Sequence, residues 1–128
     1  MLRSKAKLRD RVAIIVRQDF RNSSSAAVAQ QLHMSDRTMR RHLAIEGVSF
    51  QEILNALRYE QAQLALMMTQ LSIQDIARQL GYSDASNFGH AFRQWSGMSP
   101  RQFRRQRRNT VSLNLAQPAL VGEQAASL

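Results

Sequence analysis

Three arginines, Arg37, Arg40 and Arg41, fall within a five-residue stretch, with Thr38 among them. A guanidinium can donate two parallel hydrogen bonds to O6 and N7 of a guanine, worth roughly 1–3 kcal/mol of discrimination against a wrong base. The same planar fork grips phosphate. A second stretch offers Ser86, Asn87 and His90, all able to reach base edges or phosphates, and then Arg93. Arg101, Arg104, Arg105, Arg107 and Arg108 form a basic run further on. Against each of these readings stands a plainer one, a solvated basic face. Arg104 has a further alternative, an ion pair with Asp75 or Asp84.

The composition favours a polyanionic partner. Among 128 residues, 18 Lys+Arg stand against 9 Asp+Glu, for a net charge of +9. Only Lys5 and Lys7 are lysines, so the cations are overwhelmingly arginine. The charge is concentrated. Residues 1–22 carry seven cations and two anions, and residues 81–108 carry six cations and one anion, while the stretch between is close to neutral.

Several classes are excluded. With no Cys there is no disulfide scaffold and no thiolate metal site, and the pattern suits a reducing compartment. His33, His42 and His90 lack the HxxxH or HExxH spacing of a zinc site. The apolar runs fall well short of the ~20 residues that a bilayer span needs. Arg3, Lys5, Lys7 and Arg9 interrupt any signal-type opening. No phosphate loop or nucleophile–base set is visible, so no enzyme, cofactor or metal is expected.

The elements that must position these side chains are helices. Gly and Pro are scarce, and no clean two-residue alternation competes over residues 5–107. A first helix is expected from about Ala6 to Phe20, with Leu8, Val12, Ile15 and Val16 on one stripe. Ser24 or Ser25 caps a short helix to Leu32, and Ser35 caps one from Asp36 to about Glu46, which Gly47 ends. Ser49 caps a long helix, Phe50 to Met68, with Phe50, Ile53, Leu54, Leu57, Leu64 and Met68 as its apolar residues. Ile73 to Leu80 follows. Ser83 or Asp84 then caps a helix to about Trp95, and Pro100 opens one to Arg108. Phe88, Phe92, Trp95 and Phe103 are read as a second core, with Met34 and Tyr82 packing the turns. His42 is read as a surface or packing residue. Residues 109–128 read as a mostly disordered, flexible tail, with a weak strand tendency at Val111, Leu113 and Leu115.

Two stretches repeat. Val28-Ala29-Gln30-Gln31-Leu32 matches Ile76-Ala77-Arg78-Gln79-Leu80 at a shift of 48, and Ser35, Met39 and Leu43 match Asp84, Phe88 and Phe92 at 49. Each unit is a short helix, a tight turn and a second helix with its polar side outward, which is the helix-turn-helix pattern. One such match in a helical chain is weak. Two copies in a basic chain, held by a connector of roughly 28 Å at 1.5 Å per residue, are much stronger. That rod could hold two recognition helices to successive major grooves, ~34 Å apart on one face of DNA.

The run Ser72 to Asp84, with Ile76-Ala77 and Gly81-Tyr82, then Asn87 to Arg93, Gly97-Met98-Ser99-Pro100 and Phe103-Arg104, resembles the DNA-binding domain of AraC/XylS-type bacterial transcription regulators. Ala29, Leu32, Met34-Ser35, Arg40-Arg41, Leu43 and Gly47 extend the likeness to about residues 6–105. The resemblance implies an all-α fold of about seven helices. Residues 1–108 then form the DNA-binding domain, in two subdomains, 5–48 and 71–108, joined by helix 50–68. It implies sequence-specific binding of double-stranded promoter DNA and control of transcription, often activation through RNA polymerase. Base contacts fall on Arg37, Thr38, Arg40, Arg41, Ser86, Asn87 and His90, and backbone contacts on Arg93, Arg101, Arg104 and Arg105. His90 stands where the family commonly has a longer basic residue, which points to a second unit that mainly holds phosphates. Relatives usually carry a separate N-terminal domain, so the chain is expected to be the C-terminal part of a longer regulator, the alternative being a short stand-alone member. The expected setting is the bacterial cytoplasm, on the nucleoid and not at a membrane. The expected state is a monomer, pairing in a longer chain or on repeated sites. The rival reading is a sequence-indifferent basic nucleic-acid binder of architectural type.

Overall fold

A computed structural model of the chain describes residues 6–116. Seven α-helices follow one another: α1 Leu8–Gln18, α2 Ser25–Gln31, α3 Asp36–Ile45, α4 Phe50–Met68, α5 Ile73–Gln79, α6 Ala85–Ser96 and α7 Pro100–Ala116. A 3-10 turn at Phe20–Asn22 lies between α1 and α2. There is no strand among the described residues. One expectation is corrected here. α7 continues past Arg108 to Ala116, so residues 109–116 are helical and Val111, Leu113 and Leu115 form no strand. Leu113, Leu115 and Ala116 favour helix, and no Gly or Pro stops the helix before Pro118. The rest of the expected tail, 117–128, lies outside the described residues.

Local chemistry starts most of the helices. Ser24, Ser35, Ser72 and Asp84 each accept a hydrogen bond from the backbone N–H three residues on, at 3.1, 3.0, 3.0 and 2.8 Å. Ser49 and Glu52 form a reciprocal capping box at the head of α4. Ser99 and Gln102 repeat that exchange around Pro100 at the head of α7. α1 is the exception, because Lys7 offers no side-chain cap. Instead Glu46, at the far end of α3, accepts from the N–H groups of Leu8 and Arg9 at 2.8 and 2.9 Å.

Two cores flank α4. The first is mainly aliphatic and gathers Val12, Val16, Val28, Met39, Leu43, Leu54 and Leu57, with the ring of Phe50. The second gathers Ala62, Leu66, Ile76, Leu80 and three phenylalanines, Phe88, Phe92 and Phe103. Phe92 sits at its centre, with ring centroids of Tyr59, Phe88, Trp95 and Phe103 at 5.6, 5.8, 6.4 and 5.2 Å. The connector therefore serves two masters, and its apolar stripe is not continuous. Leu54 and Leu57 face the first core, while Ala62 and Leu66 face the second from another side of the helix. Leu64 and Met68, counted in the sequence among its apolar residues, are 51% and 74% exposed.

Candidate nucleic-acid interface

The repeat is a structural one. In the first unit the N–H of His33 reaches Gln30 O and that of Met34 reaches Ala29 O, both at 3.0 Å. In the second, Gly81 reaches Arg78 O at 3.1 Å and Tyr82 reaches Ala77 O at 3.0 Å. This is the same double closure of a helix end, with a left-handed residue at its pivot. His33 has φ +59° and Gly81 has φ +93°. The pivots differ for a reason of space. A Cβ on Gly81 would lie 2.6 Å from the Phe20 carbonyl oxygen and 2.9 Å from an Arg58 nitrogen. His33 is exposed and meets no such limit.

Met39 and Leu43 are the buried residues of α3. At about 100° per residue, Arg37 and Arg41 lie about 160° away from Met39, on the crest facing solvent. Both are exposed, and among the described residues neither has a hydrogen-bond or ion-pair partner. Arg40 lies on the flank and is engaged twice. Its Nε donates to Asp36 Oδ1 at 3.0 Å and a terminal nitrogen donates to Ser25 Oγ at 2.8 Å, tying α3 to the first turn of α2. Thr38, on the other flank, accepts from the Ser35 hydroxyl at 2.9 Å. His42 is exposed.

The same construction holds in α6, where Phe88 and Phe92 are buried. The crest positions are Ser86 and His90, matching Arg37 and Arg41 at a shift of 49. Asn87 takes the place of Thr38, and its amide donates to Ser83 Oγ at 2.9 Å, back into the turn. Gly89 takes the place of Arg40, so no side chain crosses that flank. In the first unit Arg40, Ala44 and Ser49 help line a concavity of about 420 Å³; at the corresponding place in the second, a shallow concavity of about 290 Å³ is lined by Ser86, Gly89, His90, Arg93 and Ser99. It brings three of the candidate residues, Ser86, His90 and Arg93, to one surface.

The basic run divides. Arg101 and Arg105 are exposed and without partners among the described residues. Arg104 turns inward. Its Nε donates to Leu66 O at 3.0 Å, and a terminal nitrogen lies 3.5 Å from Ala65 O and 3.4 Å from Thr69 O. These are carbonyls of the last turn of α4 and its cap, where helical partners run out, although Ala65 O also accepts the Thr69 N–H at 3.2 Å. Neither Asp75 nor Asp84 is its partner. Partial burial, and then the charge of Arg108, hold its pKa below the usual arginine value. Arg108 also donates to Thr69 O and reaches Gln70 Oε1 at 3.3 Å. Arg107 covers the Phe103 ring at 5.1 Å. Trp95 packs on Tyr59 at 5.5 Å, in the second core.

Two functional supports carry no local signal in the sequence. Glu46 caps a helix more than thirty residues upstream, with |i−j| of 38 and 37. Arg58, one of only two cations between residues 51 and 80, bonds across to the second unit, its Nε 2.9 Å from Leu80 O. Among the described residues no group of His, Cys, Asp and Glu is arranged to hold a metal ion. No helix there is long and apolar enough to cross a membrane.

Two helix-turn-helix units on one connecting helix, each with a polar crest turned outward, define a tandem helix-turn-helix module. A family model described as a helix-turn-helix domain matches residues 28–106. The chain is 42% identical over 86 residues to the ornithine utilization regulator of Pseudomonas aeruginosa, across 67% of this chain and 25% of that one. Transcriptional regulator CdpR from the same organism matches in structure with TM-score 0.69 and 41% identity, over 77% of this chain and 31% of CdpR. The C-terminal domain of AraT, a response regulator from Geobacillus stearothermophilus, matches with TM-score 0.71 and 32% identity, over 80% of this chain and 87% of that domain. The chain belongs to the AraC/XylS-type helix-turn-helix family. It spans about a quarter of the length of the ornithine utilization regulator.

Proposed function

We propose that the chain binds double-stranded promoter DNA sequence-specifically and regulates transcription, with α3 reading bases and α6 mainly holding the backbone. The observation that carries this is the crest of α3. Two uncommitted arginines, one helical turn apart, stand opposite the buried Met39 and Leu43. Such a pair can enter a major groove and meet two base edges. Arg40 can join only by giving up Asp36 and Ser25, and Thr38 has its oxygen already engaged by Ser35. In the second unit Ser86 and His90 reach less far, and Asn87 is held by the turn. There Arg93, Arg101 and Arg105 supply phosphate contacts, while Arg104 serves the fold. The family likeness adds contact with RNA polymerase and pairing on repeated sites, and a DNA partner puts the chain on the nucleoid.

Selection of sites from a random DNA pool tests the proposal. The winner and a scrambled copy are then compared across a salt series. The proposal expects two blocks about one helical turn apart and a preference of ~10³ or more for the winner. Equal affinity, with a salt slope near −0.9 per neutralised phosphate, would establish the sequence-indifferent binder instead.

A further inference from the structure

The geometry points to Arg58 as the residue that sets the orientation between the two helix-turn-helix units, and so the spacing of the DNA blocks the chain accepts. A shared helix fixes the distance between two units. It does not by itself fix how far the second is rotated about that helix. Three groups meet where that rotation would occur. Arg58 lies on α4 between Leu57, in the first core, and Ala62, in the second. Its Nε donates to Leu80 O at 2.9 Å, and its guanidinium lies 4.4 Å over the Tyr82 ring. Both partners belong to the turn between α5 and α6 of the second unit. Gly81, between them, is pressed so close to the Phe20 carbonyl and to Arg58 that it has no room for a side chain. Phe20 in turn packs against both cores.

The junction therefore joins the turn between α1 and α2, the middle of the connector and the turn of the second unit. Only arginine suits the central place. Its flat face stacks on an aromatic ring while its edge donates in plane, which a lysine cannot do at once. Leu80 O belongs to the residue that ends α5. The nearby ion pair Arg17–Glu60 at 3.1 Å joins α1 to the connector only, is exposed on both sides and adds little.

The consequence for DNA rests on the proposed function, so the test has two arms. The chain has no Cys, so Ala44→Cys on α3 and Gln94→Cys on α6 admit one spin label each. Pulsed electron resonance then reads the distribution of distances between the recognition helices, with a thermal melt on every variant. The expected result is a narrow distribution in the otherwise unchanged chain. It broadens or shifts in Arg58→Met and also in Arg58→Lys, which keeps the charge and guards against a variant that fails to fold. An unchanged width in a folded Arg58 variant, or an equally broad parent, would overturn the assignment. In the second arm, one base pair is added to or removed from the gap between the selected blocks. The parent is expected to lose roughly tenfold in affinity and Arg58→Met less than threefold, because misplaced blocks cannot be engaged together. An equal loss in both overturns the role in spacing. A parent with a narrow distribution but no spacing preference overturns the two-block reading of the DNA and leaves the junction standing.

Discussion

The two units share a backbone and differ in almost everything attached to it. Their turns close with the same pair of hydrogen bonds. Yet the crest of α3 carries Arg37 and Arg41 where that of α6 carries Ser86 and His90. The first core is mainly aliphatic, with Phe50 added, and the second is built on a ring cluster about Phe92. The first turn pivots on an exposed His33, the second on a Gly81 enclosed by Phe20 and Arg58. The unit with the reaching side chains has the freer turn. The unit with the short ones is braced against the connector and by two arginines of α7. One motif used twice can thus divide reading from holding.

The largest effect should come from the ring cluster. Phe92→Ala is expected to cost about 3–5 kcal/mol of stability in denaturant unfolding, the usual range for truncating a buried aromatic. A cost under about 1 kcal/mol would show that the rings do not build the second core. Next come the crests. Arg41→Ala should weaken binding to the selected site by about 1–3 kcal/mol and relax one position. His90→Ala should cost well under 1 kcal/mol, and equal losses by titration would erase the division between the units.

The pivots should respond with opposite signs. Gly81→Ala must place a Cβ in the left-handed region and against Phe20, so it should destabilise by at least about 1–2 kcal/mol. His33→Gly relieves that same conformation where nothing crowds it, for a gain of up to about 1 kcal/mol. Melting curves that move both variants the same way would contradict the contrast. The smallest effect concerns Glu46. The Arg9 N–H lowers its pKa most, against opposing desolvation, with help from the Leu8 N–H and from the charges of Arg9 and Lys7. A lowered carboxylate pKa stabilises above the ordinary carboxylate range, and that contribution is lost as pH falls through the range to the lowered value. Glu46→Gln should therefore melt below the parent at neutral pH, and the gap should close in acid. A gap independent of pH would show that the charge of Glu46 is not what caps α1.

Much of this was legible in the residues themselves. Ser35 and Ser49, and Ser24 and Asp84 as one of two candidates each, mark helix starts because capping is local chemistry, readable within three residues. Arg37 and Arg41 are legible as outward because Met39 and Leu43 fix the inward face. What was not legible depends on contacts remote in sequence. Arg104 looks as free as Arg105 until α4 is seen to end beside it. Leu64 and Met68 are as apolar as their neighbours, but α4 changes face between two cores and leaves both outside. Arg40 and Asn87 have the right types for reading bases. Their engagement with Asp36, Ser25 and Ser83 appears only in three dimensions.

The division of labour is tested most directly by a base-by-base substitution scan of the selected site, with the free energy of binding measured for each change. The expected profile is uneven. Costs of about 1–3 kcal/mol per pair should gather in the block met by α3, and far smaller ones in the block met by α6. Equal costs in both blocks would mean that Ser86 and His90 read bases as strongly as Arg37 and Arg41, and would contradict the account.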